Sequence, residues 1–315
     1  NKRMEIVQKR LRGIAVGAAV GDALGMPLEF QLRRPIYALE TEMIDGALPA
    51  GAFTDDTEMA LALAESLLAH SPLDPQDTIS RFLAWYQGNP PDVGLHTSLV
   101  LSQVAAGLPW QEASQLDPQS ASNGSLMRNW PFAIAYYNSP DLLESESRRQ
   151  SRLTHINPAC VNACAWHSLL LRELILRPEE NPPDAALRQA ILDVSDHVDL
   201  GADFRLQVEL AGVRNREALG NTGWVQHTLP AALWAVLNSR SFEETLVQAV
   251  NLGDDADTTG SIAGSIAGAL YGLADIPNRW QTVLHGEYPL GSGKIWLVQD
   301  FITLADRLAA LRSDS

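Results

Sequence analysis

The stretch from Asn251 to Gly264, NLGDDADTTGSIAG, constrains the fold of this chain more than any other. Asp254, Asp255 and Asp257 crowd together, Thr258 and Thr259 follow, and a run of small residues containing Gly260, Gly264 and Gly268 comes next. Neighbouring like charges raise one another's pKa, and a protein that gathers carboxylates this closely ordinarily supplies a cation to neutralise them. A companion cluster with the same Thr/Asp chemistry lies far upstream, at Phe53-Thr54-Asp55-Asp56-Thr57-Glu58. Folding is expected to bring the two clusters together around divalent metal.

The flanking patterns are helical. Residues 4–24 read as a helix that loses bulk as it proceeds, and its alanines and glycines let other backbones approach closely. Asp22 sits inside this small-residue segment and needs a partner, as a helix cap, as an anchor for a loop, or behind a site. Apolar spacing predicts further helices over 56–70, 75–87, 97–106, 129–137, 158–176, 184–197, 203–219, 229–238, 242–250, 258–273 and 295–312. Residues 177–184, RPEENPPD, read as a short surface loop. No alternating strand pattern and no fixed-period repeat is evident. The expected architecture is all-α, an orthogonal helical bundle forming one domain over residues 1–315, with a cleft for two metals.

Charge and apolar content exclude several classes. A net charge of −15 argues against non-specific nucleic-acid binding, which depends on clustered lysine and arginine. It leaves room for an anionic small molecule held through cations and helix N-termini. No apolar run reaches the roughly 18 residues of a membrane span, and no signal-peptide core is present, so a cytoplasmic protein is expected. Cys160 and Cys164, with His155 and His167 nearby, suggest a zinc site less readily than two small core residues, because CxxxC is not a usual zinc spacing.

The acidic motifs contain no cysteine or histidine. Carboxylate, hydroxyl and water oxygens select a hard cation, so Mg²⁺, Mn²⁺ or Ca²⁺ fits better than zinc. Thr54, Asp55, Asp56, Asp255, Asp257 and Thr258 offer more oxygens than one Mg²⁺ takes from a protein, and two ions about 3.5–4 Å apart account for the excess. Neither motif has the glycine and glutamate frame of an EF-hand. Elsewhere, Asp92 is either a helix N-cap or an active-site carboxylate. The turn Ser122-Asn123-Gly124-Ser125-Leu126-Met127-Arg128 exposes backbone N–H groups suited to an anion.

These motifs match a known pattern. GAAVGDALGMPLEF (17–30), FTDDTEMA (53–60), PDVG (91–94), SNGSLMR (122–128), TH (154–155), WVQHTLPAALWAV (224–236) and NLGDDADTTGSIAG (251–264) together resemble the ADP-ribosylglycohydrolase family, in its order and spacing. The resemblance implies an all-helical hydrolase with two Mg²⁺ or Mn²⁺ ions that removes ADP-ribose from an acceptor. It assigns the metal ligands to Thr54, Asp55, Asp56, Asp255, Asp257 and Thr258, the same six oxygen donors. It makes Asp92 and Glu29 the catalytic or substrate-contacting carboxylates, and Asn123, Gly124, Ser125, Arg128 and His155 the residues that hold substrate. Asp254 departs from the commoner family pattern, which has a second glycine there. The extra charge must either point away from the metals or unsettle the ligand assignment.

The chemistry so implied is glycosidic hydrolysis through an oxocarbenium-like transition state, with Asp92 or Glu29 as the acid/base group and the metals orienting the ribose. The expected partners are an ADP-ribosylated protein or small molecule and the ADP-ribose product, with arginine the preferred acceptor and serine the alternative. Two rivals are a non-catalytic ADP-ribose binder of the same fold and a dimetal phosphoesterase.

Overall fold

The computed structural model describes residues 1–311. Among the described residues fifteen α-helices run in chain order: α1 (Lys2–Gly25), α2 (Asp55–Ala69), α3 (Pro75–Gln87), α4 (Leu95–Ala105), α5 (Trp110–Ala113), α6 (Pro131–Tyr136), α7 (Pro140–Arg152), α8 (Pro158–Ile175), α9 (Pro183–His197), α10 (Ala202–Glu209), α11 (Val225–Leu237), α12 (Phe242–Val250), α13 (Ala256–Tyr271), α14 (Asn278–Gln281) and α15 (Val298–Ala309). The buried apolar side chains form one connected cluster.

The centre of the fold is the antiparallel pair α1 and α13, packed backbone against backbone. Gly13 faces Gly268, Gly17 faces Gly264, Gly21 faces Gly260, and Gly25 faces Ala256. Glycine is required by the closeness of approach: a Cβ on Gly21 would stand 2.0 Å from the Gly260 carbonyl oxygen, and one on Gly260 would stand 2.4 Å from that of Gly21. This seam decides where the site forms, because it carries Asp22 and the segment after Gly25 to the N-terminal end of α13, where Asp257 lies in the first turn. The most apolar window of the segment Lys2–Leu28 is long and apolar enough to cross a membrane, against the sequence expectation, but 94% of that window is buried inside the protein. It is a core helix.

Four segments differ from the pattern-based expectation. The helix predicted to follow the Ser122–Arg128 turn, through Tyr137, begins at Pro131, which lacks an N–H and starts a helix readily. The residues before it form the turn beneath the site. Residues 140–152, which the apolar pattern left unassigned, form α7, whose exposed face is heavily charged. The predicted helix over 203–219 stops at Glu209 and continues as two 3₁₀ turns, Ala211–Val213 and Arg216–Ala218. There Gly212 packs onto Leu237, and Arg216 reaches across to the Arg34 carbonyl oxygen. The predicted helix over 295–312 begins at Val298, because Ile295–Trp296 pairs antiparallel with Gly286–Glu287. This ladder is so short that no alternation announces it, and Trp296 is buried edge-on against Phe301.

Candidate active site

Three helix starts and two loops build a cleft of 920 Å³. Its floor is the meeting of the two acidic motifs. Thr54 precedes α2 but does not cap that helix with its side chain. Its hydroxyl instead donates within the cluster, lying 2.7 Å from Asp22 Oδ1 and 3.2 Å from both Asp56 Oδ1 and Asp257 Oδ2. The capping is done from a distance by Asp22. Its Oδ2 accepts from the Thr54 and Thr57 amides at 2.9 and 3.2 Å and from the Thr57 hydroxyl at 2.6 Å. Asp22 is therefore the loop anchor behind the site, with both oxygens occupied.

Charge in this floor is uncompensated by the protein. Burial pushes the Asp55, Asp56 and Asp257 carboxyls well above the usual range, and the neighbouring carboxylates push them further. Asp22 rises to about 6, chiefly by burial, against the lowering effect of its hydrogen bonds from Thr57 and Thr54. Glu29 rises to about 7, first by burial and then by the charges of Asp92 and Asp255, although its hydrogen bond with Asp257 acts the other way. Among the described residues no lysine or arginine lines the cleft.

The donor set fits a hard cation. Asp56 Oδ2 and Asp257 Oδ1 are buried with no hydrogen-bond partner among the described residues, and an unpaired buried carboxylate oxygen costs several kcal/mol unless something positive meets it. Ligand-capable oxygens of Asp22, Asp56 and Asp257 lie within 4.8 Å of one another, and so do those of Glu29, Asp255 and Asp257. The two groups share Asp257, which suits a bridging carboxylate. Asp55 and Thr258 also line the cleft. Asp55 belongs to neither of the two tight groups.

The remaining expected residues divide into those that reach the cleft and those that do not. Asp92 is exposed on the wall before α4, and Glu29 is half-buried beside the acidic floor. Asn123 and Gly124 line the cleft, but the Asn123 amide is already engaged, donating to Asp255 Oδ2 at 2.7 Å and to Thr228 Oγ1 at 2.8 Å. It holds a carboxylate of the floor.

Ser125, Arg128 and His155 are corrected: all three are buried and none lines the cleft. Arg128 turns inward, donating from Nε to Gln150 Oε1 and from Nη2 to the Gln150 carbonyl and Thr154 Oγ1, with its guanidinium 4.6 Å from the Phe82 ring centroid. Ser125 accepts from Ser151 Oγ at 2.8 Å. His155 sits behind Gly124, where a Cβ would stand 2.8 Å from its ring, and pairs with Thr154 Oγ1 and Ser122 Oγ. Burial, with Arg128 and His96 nearby, holds its pKa well below the usual range, so it stays neutral.

Asp254 is exposed and belongs to neither tight carboxylate group. Its φ of 51° lies in the left-handed region that favours glycine, which accounts for a glycine being the commoner residue there. Cys160 and Cys164 are buried thiols, pushed up by burial to about 12 and about 11, the opposite of what a zinc ligand needs. Two supports of the floor carry no sequence signal of their own. Asn221 accepts from the Asp255 amide through its carbonyl oxygen and bonds Thr259 through its side chain, and Thr228 Oγ1 accepts from the Asn123 amide that holds Asp255. His96 lines the cleft, with Nε2 donating to the Thr154 carbonyl at 2.7 Å. Only the spacing of Asn221 from the acidic motif could have drawn notice, and that signal is weak.

Comparison with known proteins agrees with this geometry. A family model described as ADP-ribosylglycohydrolase matches residues 3–315. The chain is 34% identical over 285 residues to the ADP-ribosylarginine hydrolase Tri1 of Pseudomonas putida, covering 86% of this chain and 73% of that protein. It is 33% identical over 287 residues to the ADP-ribosyl-[dinitrogen reductase] glycohydrolase of Rhodospirillum rubrum, covering 88% and 91%. A solved structure described as an ADP-ribosylglycohydrolase-related protein complex superposes with a TM-score of 0.81 at 38% identity, over 98% of this chain and 99% of that one. With its acidic motifs joined at one cleft and its full length matched, the chain belongs to the ADP-ribosylglycohydrolase family.

Proposed function

We propose that this glycohydrolase cleaves the N-glycosidic bond between ADP-ribose and an arginine side chain of a protein, in the cytoplasm, with two divalent cations, Mg²⁺ or Mn²⁺. The observation that carries the reading is the pair of buried, unpartnered oxygens, Asp56 Oδ2 and Asp257 Oδ1, on the floor of an acidic cleft. Thr54, Asp55, Asp56, Asp255, Asp257 and Thr258 would hold the ions. When bound, they would supply the positive field that the floor lacks and so favour binding of the ribose oxygens. The arginine assignment is supported by relatives named ADP-ribosylarginine hydrolase at 34% and 33% identity.

The chain's own residues divide the remaining work. Asp22 and Asn123 hold the floor carboxylates in place, so that the ribose meets a preorganised surface. Asp92, exposed on the wall, is the group free to carry a proton to the leaving guanidine nitrogen and to take one from the attacking water. Glu29, wedged between Asp257 and Asp92, orients the ribose side of the bond. Neither a nucleotide phosphoesterase nor a non-catalytic binder draws support from this arrangement.

The test is a panel of peptides carrying ADP-ribose on arginine or on serine, incubated with the protein and Mg²⁺. Release of intact ADP-ribose from the arginine peptide is expected, and cleavage confined to the serine peptide, or within the diphosphate, would refute the assignment. Asp92→Ala should abolish turnover while keeping fold and bound metal.

A further inference from the structure

The floor of the cleft is acidic, but its mouth is apolar. Phe30 (81% exposed), Leu95 (93%) and Trp224 (43%) line the same cleft from three distant segments. We propose that Phe30, Leu95 and Trp224 form a docking rim that grips apolar residues of the acceptor polypeptide beside its ADP-ribosylated arginine. The inference rests on the arginine reading above and names the acceptor as an extended protein segment with apolar flanks.

Strain marks the rim as a functional feature. Phe30 has φ 64°, a left-handed conformation that is rare for a bulky non-glycine residue. It is enforced by a backbone clip: the Phe30 amide donates to the Asp254 carbonyl at 2.7 Å, and the Asp254 amide donates to the Gln31 carbonyl at 2.9 Å. Internal packing is not the reason, because the ring stands in solvent. Strained positions of this kind gather at ligand-binding sites, where the surrounding structure holds them. Trp224 is likewise held ready: its ring meets His227 edge-on at 4.9 Å, and His227 Nδ1 pairs with Thr222 Oγ1 at 2.8 Å. Rigid exposed aromatics are the side chains that dominate protein recognition.

Charge selects the occupant. Exposed Asp92 and Asp254 line the same cleft, and among the described residues no lysine or arginine lining it opposes them. A guanidinium-bearing acceptor meets that charge. A free arginine derivative would end within the cleft, whereas a polypeptide continues past the modified residue on both sides and covers the apolar rim.

The experiment uses two labelled synthetic peptides, each with one ADP-ribosylarginine, flanked by Leu and Phe in one and by Gly and Ser in the other, together with free ADP-ribosylarginine. The wild-type protein should cleave the apolar-flanked peptide with kcat/KM about tenfold above the polar one. Leu95→Ser and Phe30→Ser should each bring that ratio to within about twofold, losing far more on the apolar peptide than on free ADP-ribosylarginine. Equal cleavage of both peptides by wild type overturns the proposal. Equal losses on free ADP-ribosylarginine would also overturn it, because the rim would then contact ADP-ribose itself. A wild-type dimer that Leu95→Ser converts to monomer in sedimentation would place a second copy on the rim and overturn it too. If serine linkages are cleaved and arginine linkages are not, the arginine assignment fails alone, and the same flanks on ADP-ribosylserine peptides decide the rim. Fluorescence anisotropy of the same peptides decides it in the absence of turnover: tighter binding of the apolar peptide, lost in the variants, supports it, and equal binding overturns it.

Discussion

Two buried polar clusters lie on either side of the turn at Asn123 and Gly124, and they are built on opposite rules. Beneath the turn, Ser125, Arg128, Gln150, Ser151, Thr154 and His155 bond one another, with hydroxyls, amides and carbonyls matched in turn. Above it, Asp56 and Asp257 crowd together with one oxygen of each left over. The first cluster is essentially complete as folded: Arg128 Nη1 lacks a hydrogen bond, but the guanidinium lies over Phe82. The second is left open by the chain itself, with Asp56 Oδ2 and Asp257 Oδ1 unpaired among the described residues. Burial alone does not distinguish function from structure in this protein; closure of the hydrogen-bond network does.

The contrast can be broken most forcefully at the open cluster. Asp255→Ala combined with Asp257→Ala should abolish bound Mg²⁺ or Mn²⁺ in elemental analysis and lower turnover by about three orders of magnitude or more. The same variant should melt no lower than the metal-free wild type, because it removes buried like charges. Full metal occupancy in this variant would dissolve the distinction between the clusters.

The closed cluster should answer in stability. Arg128→Ala strands Gln150 and Thr154 and should cost about 3–5 kcal/mol in denaturant unfolding, while the fraction that folds keeps its metal stoichiometry. A stable variant that fails to bind substrate would return Arg128 to the cleft.

A buried neutral histidine loses its contribution to stability in acid, while the raised floor carboxyls act in the opposite direction. His167, with Asn129 donating to Nδ1 at 3.1 Å and Nε2 donating to Ser265 Oγ at 2.9 Å, has its pKa lowered by burial to about 3. The unfolded chain binds a proton there below about 6.5, and the native state does not, so this contribution is complete above pH 6.5 and is lost as pH falls towards 3. The slope is about 1.4 kcal/mol per pH unit for each such proton. Replacing His167 by Gln should flatten the acid limb of stability against pH by one proton; parallel limbs would refute the buried neutral state.

The smallest effect is expected at Asp254. Asp254→Gly relieves a left-handed aspartate and should raise stability by up to about 1 kcal/mol, with unchanged metal content by elemental analysis. Loss of metal would put Asp254 among the ligands after all.

Much of this was legible in the residues themselves. The carboxylate motifs announce hard-cation chemistry because Thr and Asp at that density have few other uses, and the helical content follows from apolar spacing. The glycines of α1 and α13 announce close packing, though neither helix names its partner. Other features had no local signature. Helix α7 hides behind a charged exposed face, the strand pair is too short to alternate, and α10 ends where Gly212 meets a leucine on α11. Asp22 could be read only as needing a partner.

The sequence by itself determined the ligand chemistry, the helical class and the family pattern, because these depend on residue type and on spacing within a few turns of chain. Tertiary structure decided which look-alike polar residues serve the cleft. Asn123 and Arg128 stand in one short motif, yet one holds Asp255 and the other faces away into the core. That outcome depends on which hydrogen-bond partners arrive from elsewhere in the chain, and a buried polar group settles wherever its bonds are met.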